Sequence, residues 1–490
     1  MKRVFRLVVA LGFLWSGAPG LRVAAAESAP SGPRVSGFVD AAAFGFAPDA
    51  SGTANQEALQ RAVDGGGTIV VARPGVYPLA GTVYLGSHTS LIFGAGVALK
   101  KVNEKGEFCH VLLNKGARTK TWDTHIAITG LHVIVNGMDN RRFEVYGLHG
   151  QIAFFYVKDL RIEGFRCHDL GKAQYGIHIC TFEDVVVNDV MIAGDKDGVH
   201  LGRGKRFTIS NGVFRTYDDA VALNAHDYSV GNPELGWIED GVVQNCHDLE
   251  DGRKPIGFFC RILAGAWIDW REGMEVQQSD TVVSGGRLYR VQARPDGTMY
   301  KSMARPTHER GSQVLDGINW GVVQDDVTYT AGVRNVVFRD IFLRKPRIGF
   351  SVHFDNDKFS RSYYPGAPVP AQEQILFDNI RVLHDQRVQL LSIGTPMDVI
   401  TITHSSFRDS RINFHGNKAM PDYLRTKLNL IGCVFGHAGD FDVVSNSVPG
   451  KVVELRTASS MTLHDRFLAR VVPGPGTITV MQSDLPGLSR

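Results

Sequence analysis

Eight segments of this chain repeat one short pattern, at residues 126–133, 160–167, 185–192, 207–214, 336–343, 375–382, 400–407 and 428–435. Positions one, three and eight are apolar almost throughout, as in Leu160, Ile162 and Cys167 or Phe207, Ile209 and Phe214. The starts at 160, 185 and 207 lie 25 and 22 residues apart, a length suited to one coil that travels around a prism and returns in register. A lone coil cannot bury such side chains; it does so only by stacking on its neighbours. Second strands lie between the repeats: Gly176-Ile177-His178-Ile179-Cys180, Gly198-Val199-His200-Leu201-Gly202 and Ala220-Val221-Ala222-Leu223-Asn224. Alternation turns Ile177/Ile179, Val199/Leu201 and Val221/Leu223 inward and His178 and His200 outward. The predicted class is all-β, a coiled stack of parallel strands. With 490 residues and 43% hydrophobic content, one long domain is expected rather than several.

The chain opens with Lys2, Arg3 and Arg6, an apolar run from Leu7 to about Ala18, and Ala24-Ala25-Ala26 before Glu27. This has the form of a secretory leader over residues 1–26, too short to span a bilayer, and it implies a secreted or periplasmic protein with no membrane partner. Its removal takes away four basic residues and no acid, so the formal charge falls from +3 to −1. A near-neutral chain argues against nucleic acid as a partner, because phosphate binding relies on clustered Lys and Arg. Cysteines 109, 167, 180, 246, 260 and 433 lack metal-site spacing and are expected to be mostly free core thiols. Residues 27–35 are a Ser/Pro/Gly-rich linker. Thr53-Ala54-Asn55-Gln56 then forms a candidate capping box for a helix with Leu59, Ala62 and Val63 on one face, ended by Gly65-Gly66-Gly67. Short apolar strands follow through Leu79, Val83, Leu91, Val97 and Leu99. This helix-then-strands opening resembles the N-terminal cap of secreted right-handed parallel β-helix enzymes of the pectate-lyase-like superfamily.

The period fails between Arg261 and Val333, where Trp267, Trp270, Tyr289, Tyr300 and Trp320 stand among turn residues. An inserted small β-module is expected there, similar to aromatic modules of chitin-binding proteins and phage tail fibres. Its aromatics either stack on sugar rings or form the module's own core. The predicted division is a leader at 1–26, a β-helix part with the candidate catalytic coils at 36–262, the module at 263–332, and a second β-helix part at 333–490.

Asp195-Lys196-Asp197-Gly198-Val199-His200 and Asp218-Asp219-Ala220-Val221-Ala222-Leu223-Asn224 occupy successive coils. Stacking brings Asp197, Asp218 and Asp219 to one surface. Glycoside hydrolysis needs a carboxylic acid to protonate the leaving oxygen and a carboxylate to activate water. These segments are similar to the Asn-Thr-Asp-Gly-Phe-Asp and Asp-Asp-Cys-Leu-Ala-Val-Asn motifs of family 28 glycoside hydrolases, the polygalacturonase group. By that resemblance Asp218 is the general acid, kept protonated by nearby carboxylates, Asp197 and Asp219 hold the attacking water, and the reaction inverts the anomeric centre. Two family segments are missing. Gly257-Phe258-Phe259-Cys260-Arg261 stands where Gly-His-Gly is expected, and Arg347-Ile348-Gly349-Phe350-Ser351-Val352-His353 stands near the place of Arg-Ile-Lys. Those family groups bind a galacturonate carboxylate, so the departures argue against a pectic substrate. Arg261 and His353, placed at roughly the strand position of Asn224 on later coils, are candidate replacement contacts, together with Asn224 itself. Asp195 adds a fourth nearby carboxylate, and family 110 α-galactosidases resemble the arrangement about as well. His178 and His200 either contact substrate hydroxyls or form a hydrogen-bonded stacked pair. No metal and no cofactor is expected.

Three functions compete. The leading one is a glycoside hydrolase acting on a polysaccharide or oligosaccharide. A polysaccharide lyase or epimerase would instead abstract a sugar C5 proton, with Arg261 and His200 as its candidates. The third is a tailspike-like or adhesin protein that binds glycans without turnover. Insertions at 358–372 and in the module are expected to shape the groove.

Overall fold

A computed structural model describes residues 37–358, 360–416, 425–436, 439–464 and 466–488. The predicted leader and linker lie outside the described residues. The described chain winds one continuous parallel sheet into a right-handed parallel β-helix. The first position of each repeat pairs with that of the next: Ile126 with Leu160, then Val185, Phe207, Gly241, Val336, Ile375, Ile400 and Leu428. Thr89 and Leu455 extend this column at either end.

The apolar pattern skips the coil at Gly241 for a reason visible in the core. A Cβ on Gly241 would lie 2.0 Å from Cζ of Phe207, so the ring on one coil occupies the space that a side chain would fill on the next. Corners explain another regularity. Gly130, Gly164, Asp189, Asn211, Asn245, Asp340, Asn379, His404 and Gly432 stand at stacked positions and all have φ between 50° and 74°. Gly, Asn and Asp tolerate that left-handed conformation best, which keeps apolar residues out of the fifth repeat position. The corner amides also stack: Asn245 Nδ2 donates to Asn211 Oδ1 at 2.6 Å, and Asn379 Nδ2 to Asp340 Oδ1 at 2.6 Å.

The helix Gly52–Asp64 covers the first coils with Ala58, Leu59, Ala62 and Val63 buried. Its cap differs from the expected box. Ser51 is the N-cap and accepts from the Ala54 amide, while the Glu104 carboxylate accepts from the Gly52 and Thr53 amides. Gln56 turns away and donates to the Thr82 carbonyl, so the distant acid replaces the local one.

The strand Cys260–Leu263 leaves the stack and Val333–Leu343 rejoins it. Between them, Ile268–Asp269, Thr281–Ser284, Arg287–Val291, Ile318–Gln324 and Ser312–Leu315 form a separate, mostly antiparallel sheet. Trp270, Tyr289 and Trp320 are buried in its core, joined by Phe354 just after the strand Phe350–His353 and by Tyr363 from the later insertion. Of the two readings, the structure shows the module's own core for Trp270, Tyr289 and Trp320, while Trp267 is buried in the solenoid core. All six cysteines are buried and unbonded.

Candidate functional site

Each coil turns sharply before its strand of the Ile177, Val199 and Val221 column, and Asp195–Gly198 and Tyr217–Ala220 are two successive turns of this kind. Backbone hydrogen bonds lock them together: the Gly198 amide donates to the Asp219 carbonyl at 2.9 Å, and the Gly176 amide to the Asp197 carbonyl at 2.9 Å. Below, buried Arg347 pairs with Asp248 and donates to the Asp218 carbonyl at 2.6 Å. These bonds tie the two turns to each other and to the coils beneath them.

One carboxylate oxygen from each of Asp197, Asp218 and Asp219 lies within 4.8 Å of the others. At that spacing a single water reaches all three. Asp197 and Asp219 are buried, whereas the Asp218 side chain is 16% exposed. The Lys196 ammonium contacts Asp218 Oδ2 and lies 3.9 Å from Asp197 Oδ1. Asp197 Oδ2 faces His200 Nδ1 at 2.9 Å, and Asp219 Oδ1 accepts from the Phe258 amide at 2.8 Å. Burial, and then the charge of Asp218, push the Asp197 carboxyl up to about 7. Burial and the other two carboxylates push Asp219 up as well. Burial disfavours the charge on Lys196, but Asp197, Tyr228 and Asp218 outweigh it and keep the ammonium charged. The group of oxygens could ligate a cation, and Lys196 already supplies one positive charge to it.

The other predicted residues are placed differently. Asp195 stands apart from the three acids and pairs with Arg253 at 2.6 Å, because its position at the start of the turn points it to the rim. His178, His200 and Asn224 are sealed rather than lining an open groove. They do face outward from the solenoid, but residues 225–236 fold back over them: His178 Nε2 meets Asn232 Oδ1 at 2.9 Å, and Asn224 Nδ2 donates to Asp227 Oδ2 at 2.7 Å. Tyr175 stacks on His200 with ring centroids 4.1 Å apart. Burial holds the His200 imidazole down at about 4, so it is a neutral group whose Nδ1 shares a hydrogen bond with Asp197 Oδ2.

Arg261 is in register with Ala222 and His200, two residues from the position expected for it; His353 is in register with Leu263 and Asn224. Both converge on Asp355, which the sequence reading missed. Arg261 Nη2 lies 2.6 and 2.8 Å from its two oxygens, and His353 Nε2 lies 3.2 Å from Oδ1. Lys196 and Asp227 were missed too. Lys196 sits between Asp195 and Asp197, a visible signal, and Asp355 lies two residues beyond His353. Asp227 sits in an irregular loop with no pattern to reveal it.

No family model matches the sequence, and no curated protein matches it. Among solved structures the chain is similar to a putative glycosyl hydrolase from Parabacteroides merdae (16% identity, 45% of this chain and 98% of that one, TM-score 0.34). It is also similar to a family 28 exopolygalacturonase from Yersinia enterocolitica (10% identity, 91% and 78%, TM-score 0.47). A third is the Streptococcus pneumoniae surface protein and adhesin PfbA (13% identity, 91% and 100%, TM-score 0.49). None of these likenesses carries residue-level information.

Proposed function

We propose that this chain is an exported glycoside hydrolase that cleaves a polysaccharide or oligosaccharide by carboxylate acid/base chemistry at Asp197, Asp218 and Asp219. The carrying observation is the approach of three carboxylates within 4.8 Å on adjoining turns, with one pushed up to about 7. Such a set shares its protons, so the donor's proton belongs to the cluster rather than to one residue. Asp218 reaches furthest towards solvent and delivers the proton to the leaving oxygen; Asp197 and Asp219 position and activate the water between them. Lys196 neutralises the excess negative charge that three adjacent acids would carry. The resemblance to family 28 implies inversion, although the oxygens stand closer than the roughly 6.5–9.5 Å usual for an inverting pair. The lyase reading loses its support: His200 is sealed and Arg261 is paired with Asp355, so neither presents a base to a sugar.

The test is reducing-end release from pectic, galactan and other plant or algal polysaccharides, with the anomeric product followed by NMR. Wild type should release sugar, and Asp218→Asn should lose about 10²–10⁴-fold in rate while keeping its melting temperature. An active Asp218→Asn protein, or a product carrying a new C4=C5 double bond, would overturn the proposal.

A further inference from the structure

At the far end of the strand Val221–Asn224 from the carboxylates, the coils turn a second corner. The residues there stack in one column, Trp122, Tyr156, Thr181, Arg203 and Trp237, each just before paired strand positions. Trp122 and Trp237 are therefore four rungs apart, about 19 Å at roughly 4.8 Å per rung. Between them lies a cavity of ≈ 290 Å³ lined also by Arg203, Glu183, Glu239 and, from the inserted module, Asp326.

The floor is built rather than incidental. Glu234, fully buried beneath it, accepts from Tyr156 Oη at 2.9 Å and Thr181 Oγ1 at 2.8 Å, and pairs with Lys120 at 2.8 Å and Arg203 at 3.6 Å. One buried acid thus holds four side chains, Tyr156, Thr181 and Arg203 on three successive rungs and Lys120 at the approach to the rung before them, and a surface held in place loses little entropy when it binds. The charges on the walls are already matched: Arg203 with Asp326 at 2.6 Å, Lys205 with Glu183 at 3.3 Å, and Arg334 with Glu239 at 2.7 Å. A charged ligand finds no unmatched partner there. Hydroxyl groups, which both donate and accept, can bind the edges of these ion pairs without breaking them. Trp122, 42% exposed and set edge-on to Tyr156, supplies an indole at one end, and Trp237, backed by Arg334 at 4.8 Å, supplies one at the other.

We infer that this corner is a second glycan-binding site, taking a neutral oligosaccharide that lies across the rungs between Trp122 and Trp237. It is separate from the carboxylate cluster and does not depend on hydrolysis there. The module would then contribute to carbohydrate binding through its edge at Asp326 and not through its buried aromatics.

The experiment is affinity electrophoresis of the full chain through gels containing soluble galactan, xylan, galactomannan or polygalacturonate. Wild type should be retarded by at least one neutral glycan, Trp122→Ala should weaken that retention about tenfold, and Asp218→Asn should retain wild-type binding. Circular dichroism and melting of Trp122→Ala verify that its fold is intact, as expected for a half-exposed side chain. Free migration of wild type through all four gels would overturn the inference. So would equal retention of wild type and Trp122→Ala, loss of retention in Asp218→Asn with Trp122→Ala unaffected, or retention by polygalacturonate alone.

Discussion

The solenoid and the inserted module bury their apolar side chains by different means. In the solenoid, Leu160, Val185, Phe207, Val336 and Ile375 lie over one another, so each coil's core is completed by its neighbours. In the module, Trp270, Tyr289 and Trp320 close on themselves and on Phe354 and Tyr363. A repeat spreads its stability along the stack, whereas the module concentrates it in a few large rings. The module nevertheless reaches the candidate site. Buried Arg290 donates to the carbonyls of Asp227, Ser229 and Asn232, which pins the loop that seals His178 and His200. The regular part holds the acids, and the irregular part holds the cover over the groups that orient them.

Trp320→Ala should make the largest difference between the two regions, costing about 3–5 kcal/mol by leaving a large cavity. That loss should fall on the module: limited proteolysis would cut within 265–331 while the solenoid stays resistant. Simultaneous cleavage throughout would mean that the module does not close on its own core. Gly241→Val should act on the other side of the comparison. It forces side-chain atoms into the Phe207 ring, at a cost of about 3 kcal/mol, and lowers the melting temperature of the whole stack.

Arg290→Met tests the link between the regions. Three carbonyls lose a donor, each such loss being worth about 1–3 kcal/mol where the group stays buried. Amide exchange should rise in residues 225–236, and turnover should fall about tenfold or more as His200 loses its fixed position. Unchanged turnover with faster exchange would show that the cover does not orient the acids.

The smallest effect is the pH response of Asp197→Asn. In wild type the Asp197 carboxyl is raised from 3.8 to about 7, so the folded chain holds its proton more tightly than the unfolded chain. Its contribution favours folding below about pH 4 and is lost as pH rises through about 7. The melting temperature of Asp197→Asn relative to wild type should therefore climb between about pH 5 and pH 8. A constant difference would place the proton elsewhere in the cluster.

Much of this was legible in the residues. The eight repeats align in the register the structure adopts, and the coil at Gly241 escaped because its apolar group comes from Phe207 on the previous rung. Stacking of Asp197, Asp218 and Asp219 followed from their places before equivalent strands. The cover over His178, His200 and Asn224 did not, since strand alternation tells outward from inward but cannot tell outward from exposed. Arg261 was misplaced by two residues because long irregular segments on either side leave its register undefined until the strands pair.

The sequence by itself determined the period, the inward face and the column of acids, because those depend on local alternation and on the length of one coil. Only the tertiary structure decided which outward residues remain open, that Lys196 lies against Asp218, that Asp355 joins Arg261 to His353, and that Glu234 organises a second corner. Those contacts join segments far apart in the chain, and nothing in the local preferences of either segment specifies the other.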